Sequence, residues 1–404
     1  MKKIAILGMG TVGQGLYEIL MERKEKIEEV IQDTFEISAV LVSNLEKERN
    51  LAPTVKITND FTEILEDEEI DIVVELTGAL EQGYDYIKSS LEKGKDVVTA
   101  NKSVISKYYD SLHEIAAKEG RSLLYEASVG GGIPIIKPLK EEILINDIES
   151  IQGILNGTCN YILSRLFQEK ISYGEILKDA QRLGYAEADP TADVEGLDSM
   201  RKLRILSSIA YHTSIDEEEI ETYGISTIIK EDVDYIEHMD STLKLLGMSK
   251  LTEEGYVASV EPTIVDKSDY FATVDMAFNS ISFVGHNIGP LKFYGYGAGK
   301  LPTGDAVARD VIDILLNHAT VNLIHDKKEF KNLNESAKGQ YYLRISNNTN
   351  TFRKISDKFQ PIEFKEKNDI AYFVFKNANR DEIIEYVDKL GIYPRDFFLA
   401  KVGY

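Results

Sequence analysis

Uninterrupted apolar runs alternate with amphipathic stretches along the first third of the chain. The run in "KKIAILGMG" precedes "TVGQGLYEILMERKEKIEEVI", whose apolar residues recur at helical spacing. "DIVVELTG" and "KDVVTAN" repeat this exchange of an apolar run with a helical pattern. Buried strands that alternate with helices are typical of a parallel sheet with helices on both faces. We therefore predict an α/β fold, with a first domain over residues 1–130.

The hydrophobic pattern becomes mixed after Glu126. Strand-like and helical segments follow one another without strict alternation, which predicts an α+β domain over residues 131–318. A helix over 172–183 has a capping-box pattern at its start and a glycine at its end. Residues 302–317 form one more helical pattern with proline at the start, and we expect this helix to pack back on the first domain.

The end of the chain has its own order of elements. Residues 319–339 turn polar and are predicted to be a linker. Residues 340–404 follow as strand, helix, two strands, helix and strand, which predicts a small ferredoxin-like domain.

Composition and charge exclude several classes of protein. The chain has 404 residues and a formal net charge of −22, which argues against a nucleic-acid partner. Apolar runs are too short for a membrane span, and the N-terminal run breaks into glycines, unlike a signal peptide. We therefore expect a cytoplasmic protein. The single cysteine, Cys159, rules out an internal disulfide framework.

A glycine-rich turn follows the first apolar run. "GMGTVG" has the G-x-G-x-x-G spacing at the end of a strand and the start of a long helix. In that context Gly8 permits the tight turn, Gly10 lets the backbone approach a pyrophosphate, and Gly13 allows close helix packing. This pattern predicts a Rossmann-type domain that binds NAD or NADP.

The second strand ends without the acidic residue that usually binds the ribose of NAD. Ser43 and Asn44 stand at that point, and Lys47 and Arg49 lie just beyond. This arrangement favours NADP, with NAD as a possible alternative. Two solvated cations would give the same pattern.

Carboxylates gather in "EADPTADVEGLDSMRK", residues 187–202. Asp198 and Lys202 are four residues apart, on one face of an apolar helix. A cluster of this kind can hold a hydrated metal ion or the ammonium group of a ligand. The residue pattern alone leaves both interpretations open.

Seven blocks of sequence resemble one family in order and spacing. They are "GMGTVG", "ELTG", "TANK", "EASVGGGIP", "NGTCNYIL", "YAEADPTADVEGLDSMRK" and "GYGAGKLPT". The chain resembles homoserine dehydrogenases over essentially its whole length, and its last 65 residues resemble an ACT regulatory domain. The resemblance implies reversible, NAD(P)-dependent reduction of L-aspartate 4-semialdehyde to L-homoserine, in the biosynthesis of threonine, methionine and isoleucine.

The resemblance also implies roles for individual residues. Lys202 matches the proton-transfer lysine of the family, and Lys102 in "TANK" is its rival. Burial lowers the pKa of a lysine and a neighbouring carboxylate raises it, so Asp198 would balance the burial of Lys202. The residues implied in substrate binding are Glu187, Asp198, Asp193, Asn156, Gly157 and Thr158. We expect Asp189 and Glu195 to be solvated or to cap a helix.

Two further sets of positions follow from the resemblance. The cofactor-binding set is Gly8, Gly10, Thr11, Val12, Gly13, Thr77, Gly78, Thr99, Ala100, Lys102 and Gly297. A monovalent cation, Na⁺, is implied at the backbone carbonyls of Glu126, Val129, Gly131 and Ile133. The resemblance further implies a homodimer or a higher homo-oligomer.

Two other kinds of function compete with this interpretation. A different two-domain oxidoreductase of amino-acid metabolism would share the first domain, and an amino-acid sensor would share an ACT-like tail. The "NGTCNYIL" block argues against the first alternative, and intact Lys102 and Lys202 argue against the second. The turn "NNTNT", residues 347–351, contains no glycine. We therefore expect the tail to act mainly in assembly, with weak or no inhibition by threonine, and Asn residues to supply any left-handed conformation there.

Overall fold

The computed structural model describes residues 1–318, 328–367 and 369–404. Residues 319–327 of the predicted linker lie outside this described part. The chain divides into two compact units. The first comprises residues 1–147, 204–217 and 293–329, and the second comprises residues 148–203, 218–292 and 330–404. In the described ranges, no helix is long and apolar enough to cross a membrane.

The first unit is built on a six-stranded parallel sheet. Its strands lie in the order β3-β2-β1-β4-β5-β6, which is the strand order of a dinucleotide-binding Rossmann fold. The strands are β1 (Lys2–Leu7), β2 (Phe35–Leu41), β3 (Lys56–Thr58), β4 (Ile70–Glu75), β5 (Asp96–Thr99) and β6 (Leu123–Leu124). The predicted parallel sheet is confirmed.

Helices on this sheet provide its hydrophobic cover. They are Thr11–Glu22, Lys24–Ile31, Thr62–Leu65, Glu81–Glu92, Lys102–Lys107, Tyr109–Glu119, Ile136–Glu142 and Lys300–Leu315, with a 3₁₀ turn at Glu126–Ser128. Helix Lys300–Leu315 contacts helix Thr11–Glu22 so closely that a Cβ on Gly15 would lie 2.3 Å from the Lys300 carbonyl oxygen. Glycine at this position therefore permits the two helices to approach.

The second unit is built on a large mixed sheet. Its strands are β7 (Ile148–Ile154), β8 (Glu221–Thr222), β9 (Ser241–Leu251), β10 (Tyr256–Asp266), β11 (Phe278–Gly285), β13 (Gly339–Ser346), β14 (Glu363–Lys367), β15 (Ile370–Ala378) and β16 (Phe397–Val402). Strand β12 (Gly289–Tyr296) begins in the second unit and continues into residues of the first. The order runs β11-β7-β9-β10-β16-β13-β15-β14, with β8 against β10.

The last four strands have the predicted ferredoxin-like topology. Strands β16, β13, β15 and β14 are antiparallel neighbours in that order, and a helix crosses between β13 and β14 and between β15 and β16. Strand β16 also pairs in parallel with β10, where Thr263 faces Lys401 and Ile264 faces Val402. The tail and the preceding strands therefore form one continuous sheet.

A buried ion pair joins the tail to the rest of the second unit. Arg344 on β13 contacts Asp232 on helix Lys230–His238 at 3.2 Å, and both side chains are almost fully buried. Arg344 also donates to the Thr227 carbonyl at 2.7 Å, and the Tyr342 hydroxyl donates to Asp232 at 2.7 Å. Burial nevertheless raises the pKa of Asp232, although Arg344 opposes that shift.

The helices of the second unit include some that the residue pattern predicts, such as Tyr173–Leu183, and others that it does not, such as Gly157–Glu169 and Lys230–His238. They are Gly157–Glu169, Tyr173–Leu183, Thr191–Val194, Lys230–His238, Thr349–Phe359 and Arg380–Lys389, and helix Leu197–Tyr211 continues from the second unit into residues of the first. Remaining 3₁₀ turns are Glu217–Glu219, Phe271–Thr273, Asn334–Ser336 and Pro394–Asp396.

Two expectations about helix ends have different outcomes. The capping box of Ser172 and Glu175 is confirmed, and Gly184 closes the same helix in the left-handed conformation. The expectation that asparagine supplies a left-handed turn in residues 347–351 is wrong for Asn348. Its φ is −106°, and its side chain caps helix Thr349–Phe359 by accepting from Thr351 N. An extended N-cap removes the need for a left-handed residue.

Candidate active site

The glycine turn after β1 forms a close-packed cradle. Gly8 has φ of +100°, and a Cβ there would lie 2.7 Å from the Leu76 carbonyl oxygen. A Cβ on Gly13 would lie 2.2 Å from the Gly8 carbonyl oxygen, whereas a Cβ on Gly10 would meet nothing within 4 Å. The backbone at Gly10 is thus open at the start of helix Thr11–Glu22, where a pyrophosphate fits.

A cavity of about 490 Å³ lies at the carboxyl ends of β1, β2 and β4. Its lining is Gly8, Met9, Gly10, Leu41, Val42, Ser43, Asn44, Lys47, Arg49, Asn59, Leu76, Thr77, Ala79, Gln82 and Tyr86. This is the edge of a doubly wound sheet at which nucleotides bind. The residues present therefore fit a dinucleotide.

The end of β2 brings both predicted cations to this cavity. Asn44 Oδ1 accepts from the backbone N–H groups of Glu46 and Lys47, at 2.8 and 3.2 Å, and so shapes the turn. Arg49 is half-buried and donates from Nη1 to the Lys47 carbonyl at 2.7 Å, while its buried Nε has no hydrogen-bond partner among the described residues. Arg49 thus retains a donor beside the cavity.

Glu75 is an organising residue that the sequence analysis missed. Its fully buried carboxylate accepts from Thr77 N at 2.8 Å, from the Thr77 hydroxyl at 2.5 Å and from the Thr99 hydroxyl at 2.7 Å. It therefore ties together the two turns that carry Thr77, Gly78, Thr99 and Ala100. The signal was present, since "ELTG" ends an apolar strand with an acid.

Lys102 begins helix Lys102–Lys107 directly after the β5 turn. Asn101 caps this helix by accepting from Val104 N, and its Nδ2 donates to the Ala79 carbonyl at 2.8 Å. Lys102 is half-buried. The side chain of Thr99 is fully buried and donates to Glu75, so it contributes to the shape of the turn.

The loop predicted to hold a cation contacts the predicted cofactor residue Gly297. Gly131 has φ of +55°, and a Cβ there would lie 2.4 Å from the Gly297 carbonyl oxygen. The Glu126 carbonyl accepts from Val129 N at 3.4 Å, which is a long contact. The proposed ligands are the backbone carbonyl oxygens of Glu126, Val129, Gly131 and Ile133, and oxygen ligands of this kind suit a monovalent cation.

The Glu126 side chain supports this loop in a way that the sequence did not reveal. Its carboxylate accepts from the backbone N–H groups of Ile135, Ile136 and Lys137 at 2.6–2.8 Å. Its own N–H donates to the buried Asp310 carboxylate at 2.8 Å. Burial and the neighbouring Glu126 carboxylate hold the pKa of Asp310 well above its usual range.

The second unit contains the predicted proton-transfer lysine. Lys202 Nζ is 2.7 Å from Asp198 Oδ2 and donates to the Leu155 carbonyl at 2.7 Å. Lys202 is 7% exposed and Asp198 is 3% exposed. A buried ion pair differs from a surface pair in its energetics, because removing either charge leaves the other one buried without compensation.

Asn156 joins two of the predicted substrate-binding carboxylates. Its Nδ2 donates to Asp193 Oδ1 at 2.7 Å and to Asp198 Oδ2 at 2.8 Å. Its Oδ1 accepts from Cys159 N at 2.8 Å and caps helix Gly157–Glu169. One asparagine side chain therefore sets both the start of this helix and the position of the acids.

The other predicted residues of this loop lie nearer to solvent. The Thr158 hydroxyl donates to the Tyr185 carbonyl at 2.6 Å, so this proton is used within the protein. Glu187 is exposed, and its backbone carbonyl accepts from Gln181 Nε2 at 3.1 Å. Asp189 is exposed and accepts from the N–H and the hydroxyl of Thr191, while the N-cap of helix Thr191–Val194 is Pro190, without a side-chain cap.

The acids do not converge on a metal centre. In the described ranges there is no group of three or more His, Cys, Asp or Glu side chains that could hold a metal ion. Cys159 is buried and its thiol donates to the Asp193 carbonyl at 3.1 Å. Burial raises the pKa of this thiol well above its usual value, which makes it a packing residue.

Comparison with known proteins matches residues in both units. Residues 8–126 match the family model described as homoserine dehydrogenase, NAD binding domain, and residues 134–312 match the model described as homoserine dehydrogenase. A homoserine dehydrogenase of Bacillus subtilis is 35% identical over 365 residues, which is 88% of this chain and 84% of the relative. The chain belongs to the homoserine dehydrogenase family.

Other members of the family agree with this assignment. A homoserine dehydrogenase of Synechocystis is 43% identical over 319 residues, covering 78% of this chain and 73% of the relative. A homoserine dehydrogenase structure from Thiobacillus denitrificans has a TM-score of 0.90 and 33% identity, over 100% of this chain and 98% of the other. The chain is thus an NAD(P)-dependent oxidoreductase, a homoserine dehydrogenase.

The chemistry of a homoserine dehydrogenase requires a proton donor and acceptor beside the hydride site. A bound nicotinamide cofactor supplies or takes the hydride. The substrate oxygen gains a proton in one direction and loses it in the other. A buried lysine held by a carboxylate and a backbone carbonyl, as Lys202 is by Asp198 and Leu155, is suited to this exchange.

Proposed function

We propose that this homoserine dehydrogenase interconverts L-aspartate 4-semialdehyde and L-homoserine with Lys202 as the proton-transfer group. The buried Lys202–Asp198 pair at 2.7 Å is the observation that carries the proposal. In reduction the ammonium of Lys202 donates a proton to the forming alkoxide, and in oxidation the neutral amine accepts it. Lys102 begins a helix at the cofactor-binding edge of the first unit, and we assign it to orienting the nicotinamide side.

The activity assay tests this function directly. NADPH oxidation is measured at 340 nm with aspartate semialdehyde, and homoserine is identified as the product. Aldehydes without an α-ammonium group, such as butanal, serve as control substrates and are expected to react far more slowly. Equal turnover of both substrates would contradict an amino-acid substrate.

We assign the α-ammonium group of the substrate to Glu187, with Asp198 and Asp193 beside it. The group Asn156–Thr158 would face the other end of the substrate with the first N–H groups of helix Gly157–Glu169. The exposed side chain of Glu187 can change its conformation to contact a ligand. The Asp198 carboxylate is instead held in position by the side-chain amide of Asn156. A helix N-terminus attracts a carboxylate.

Glu187→Gln is expected to raise KM for homoserine about 10-fold and to lower kcat much less. A charge-assisted contact made equally in ground and transition states affects binding only, and it contributes about 1.5–3 kcal/mol. Initial rates over a range of homoserine concentrations measure both constants. Asp189→Asn is the matched control, since Asp189 is an exposed acid of the same loop that is engaged by Thr191. An unchanged KM in Glu187→Gln would remove this residue from the substrate site.

NADP is proposed as the preferred cofactor, with NAD accepted less well. Ser43 and Asn44 place no acid beside the ribose, and Arg49 keeps a buried Nε–H at the edge of the cavity. A guanidinium binds a 2′-phosphate through charge-assisted hydrogen bonds. The Glu126–Ile133 loop is proposed to hold Na⁺ through its carbonyl groups.

Arg49→Ala is expected to raise KM for NADP about 10-fold and to leave KM for NAD nearly unchanged. The lost contact to the 2′-phosphate contributes roughly 1.5–3 kcal/mol, and NAD lacks that phosphate. The ratio of kcat/KM for the two cofactors is the measurement. Lys26→Ala, on the exposed helix Lys24–Ile31, is the control and should change neither value. An equal decrease in kcat/KM with both cofactors would show that Arg49 does not bind the 2′-phosphate.

The remaining proposals concern the whole protein. We propose that residues 340–404 act as an ACT-like domain with a role mainly in assembly, and that the enzyme is a cytoplasmic homodimer or higher homo-oligomer. Continuity of β16 with β10 supports a structural role for the tail. The reaction would serve the biosynthesis of threonine, methionine and isoleucine.

A further inference from the structure

The proposed proton-transfer lysine shares its backbone acceptor with a second donor. Lys202 Nζ donates to the Leu155 carbonyl at 2.7 Å, and Asn279 Nδ2 donates to the same oxygen at 2.9 Å. Leu155 directly follows β7, and Asn279 lies in β11, where its neighbour Ser280 faces Ile154 of β7. The sheet register therefore holds Asn279 beside this carbonyl.

Asn279 is fully buried, and only the nitrogen of its side-chain amide makes a hydrogen bond within the described residues. Its Oδ1 has no hydrogen-bond partner among the described residues, and it lies 3.2 Å from the position of a Cβ on Gly157. Exchanging the amide N and O would set two acceptors against each other at Leu155, so this contact defines the orientation of the amide. A buried unsatisfied acceptor costs stability. Stability alone therefore does not explain an asparagine here.

We propose that Asn279 is a positioning residue that sets the place and the protonation of Lys202 through the Leu155 carbonyl. A carbonyl oxygen has two lone pairs. Because Asn279 occupies one of them, the Lys202 amine is confined to the other. The Asn279 N–H also draws charge from the oxygen, so the carbonyl stabilises the ammonium form less. This inference rests on the proposed role of Lys202 in proton transfer.

The other charged groups around Lys202 act in the opposite direction. Asp198 on the same helix contacts it directly, and Asp193 is linked to Asp198 through the side-chain amide of Asn156. Glu195 and Cys159 belong to the same cluster, and burial keeps the Cys159 thiol neutral by raising its pKa. The carboxylates favour the ammonium, whereas Asn279 favours release of the proton.

Asn279→Leu is the test, because leucine keeps the shape and removes both polar atoms. In homoserine oxidation the amine must be neutral, so the rate falls at low pH. We expect the midpoint of this acid limb of kcat to move up by about half a pH unit, since the ammonium form gains stability. At pH 7 we expect kcat to fall about 10-fold from the looser placement. Asn279→Asp should move the midpoint further, because it adds a carboxylate.

Two further variants separate positioning from a structural effect. Asn379→Ala removes a buried helix cap elsewhere in the second unit, so it should lower Tm without moving the midpoint. Asn279→Leu added to Lys202→Met should cause no further loss of rate, since Asn279 acts through that amine. Unchanged midpoints in both Asn279 variants, or losses that multiply in the double variant, would overturn the inference. If Lys202→Met itself retains turnover, the proposed function fails and the inference falls with it.

Discussion

Replacing Lys202 with methionine is expected to lower kcat by about 10²–10⁴-fold, while KM for the cofactor stays within about twofold. Loss of a general acid or base has an effect of this size, because proton transfer then depends on water. Lys202 is buried against Asp198 and Leu155, so no other cation of the second unit is expected to replace it. Steady-state kinetics in both reaction directions measure the loss, and cofactor fluorescence titration measures the affinity.

Two controls make this result specific. Lys178→Met removes an exposed lysine from helix Tyr173–Leu183 and should leave kcat unchanged. Lys102→Met should raise KM for the cofactor more than it lowers kcat. A Lys202→Met enzyme within threefold of the original kcat would disprove the assignment, and a large loss in Lys102→Met would then assign proton transfer to Lys102.

Arg344→Met is expected to destabilise the protein by about 3–5 kcal/mol. Removing one partner of a buried ion pair leaves the other charge uncompensated, and here that charge is the fully buried Asp232. Tyr342 and Ile229 N still donate to Asp232, which limits the loss. Urea unfolding followed by circular dichroism gives the free energy of unfolding.

The pH dependence of this variant has a definite sign. Burial already raises the pKa of Asp232, and the loss of Arg344 raises it further. Between the unfolded and folded pKa values the native state holds more protons than the unfolded state, so stability falls as pH rises. The decrease in the free energy of unfolding caused by Arg344→Met should therefore be smaller near pH 4 than near pH 8.

A double variant that removes both charges of the Arg344–Asp232 pair provides the matched comparison for Arg344→Met. Asp232→Asn combined with Arg344→Met keeps an acceptor for Ile229 N and removes both charges, so it should be more stable than Arg344→Met alone. Lys389→Met breaks an exposed pair with Glu385 on the same tail and should cost less than about 1 kcal/mol. Equal stability of Arg344→Met and Lys389→Met would contradict an energetic link between the tail and helix Lys230–His238.

Elements with a strong local pattern were predictable from the sequence. The apolar run at β1, the glycines at Gly8 and Gly13, and the capping box at Ser172 each depend on residues within a few positions of one another. The short strand β3 and helix Lys102–Lys107 were not predicted, because they are too short to show a period.

The candidate site also contains residues that could be predicted from the sequence and residues that could not. The spacing of Asp198 and Lys202 identified a pair on one helical face, and four residues of separation guarantee that they are neighbours. Asn156 as the link between Asp193 and Asp198 was not evident, since its partners lie 37 and 42 residues away. Glu75 has a local partner in Thr77, but its role in joining two turns was not evident, because its other partner Thr99 lies on the next strand.

The sequence by itself determined the parallel nucleotide-binding sheet, the ferredoxin-like order of the tail and the lysine–aspartate pair. Each follows from periodicity or spacing, which local backbone geometry converts directly into structure. Only the tertiary structure decided that β16 continues the sheet of β10, that Arg344 meets Asp232, and that Asn279 shares the Leu155 carbonyl with Lys202. Asn279 and Leu155 are 124 residues apart, and strand register alone brings them together. Such contacts depend on how whole elements pack, because side-chain hydrogen bonds form wherever the sheet places donor and acceptor.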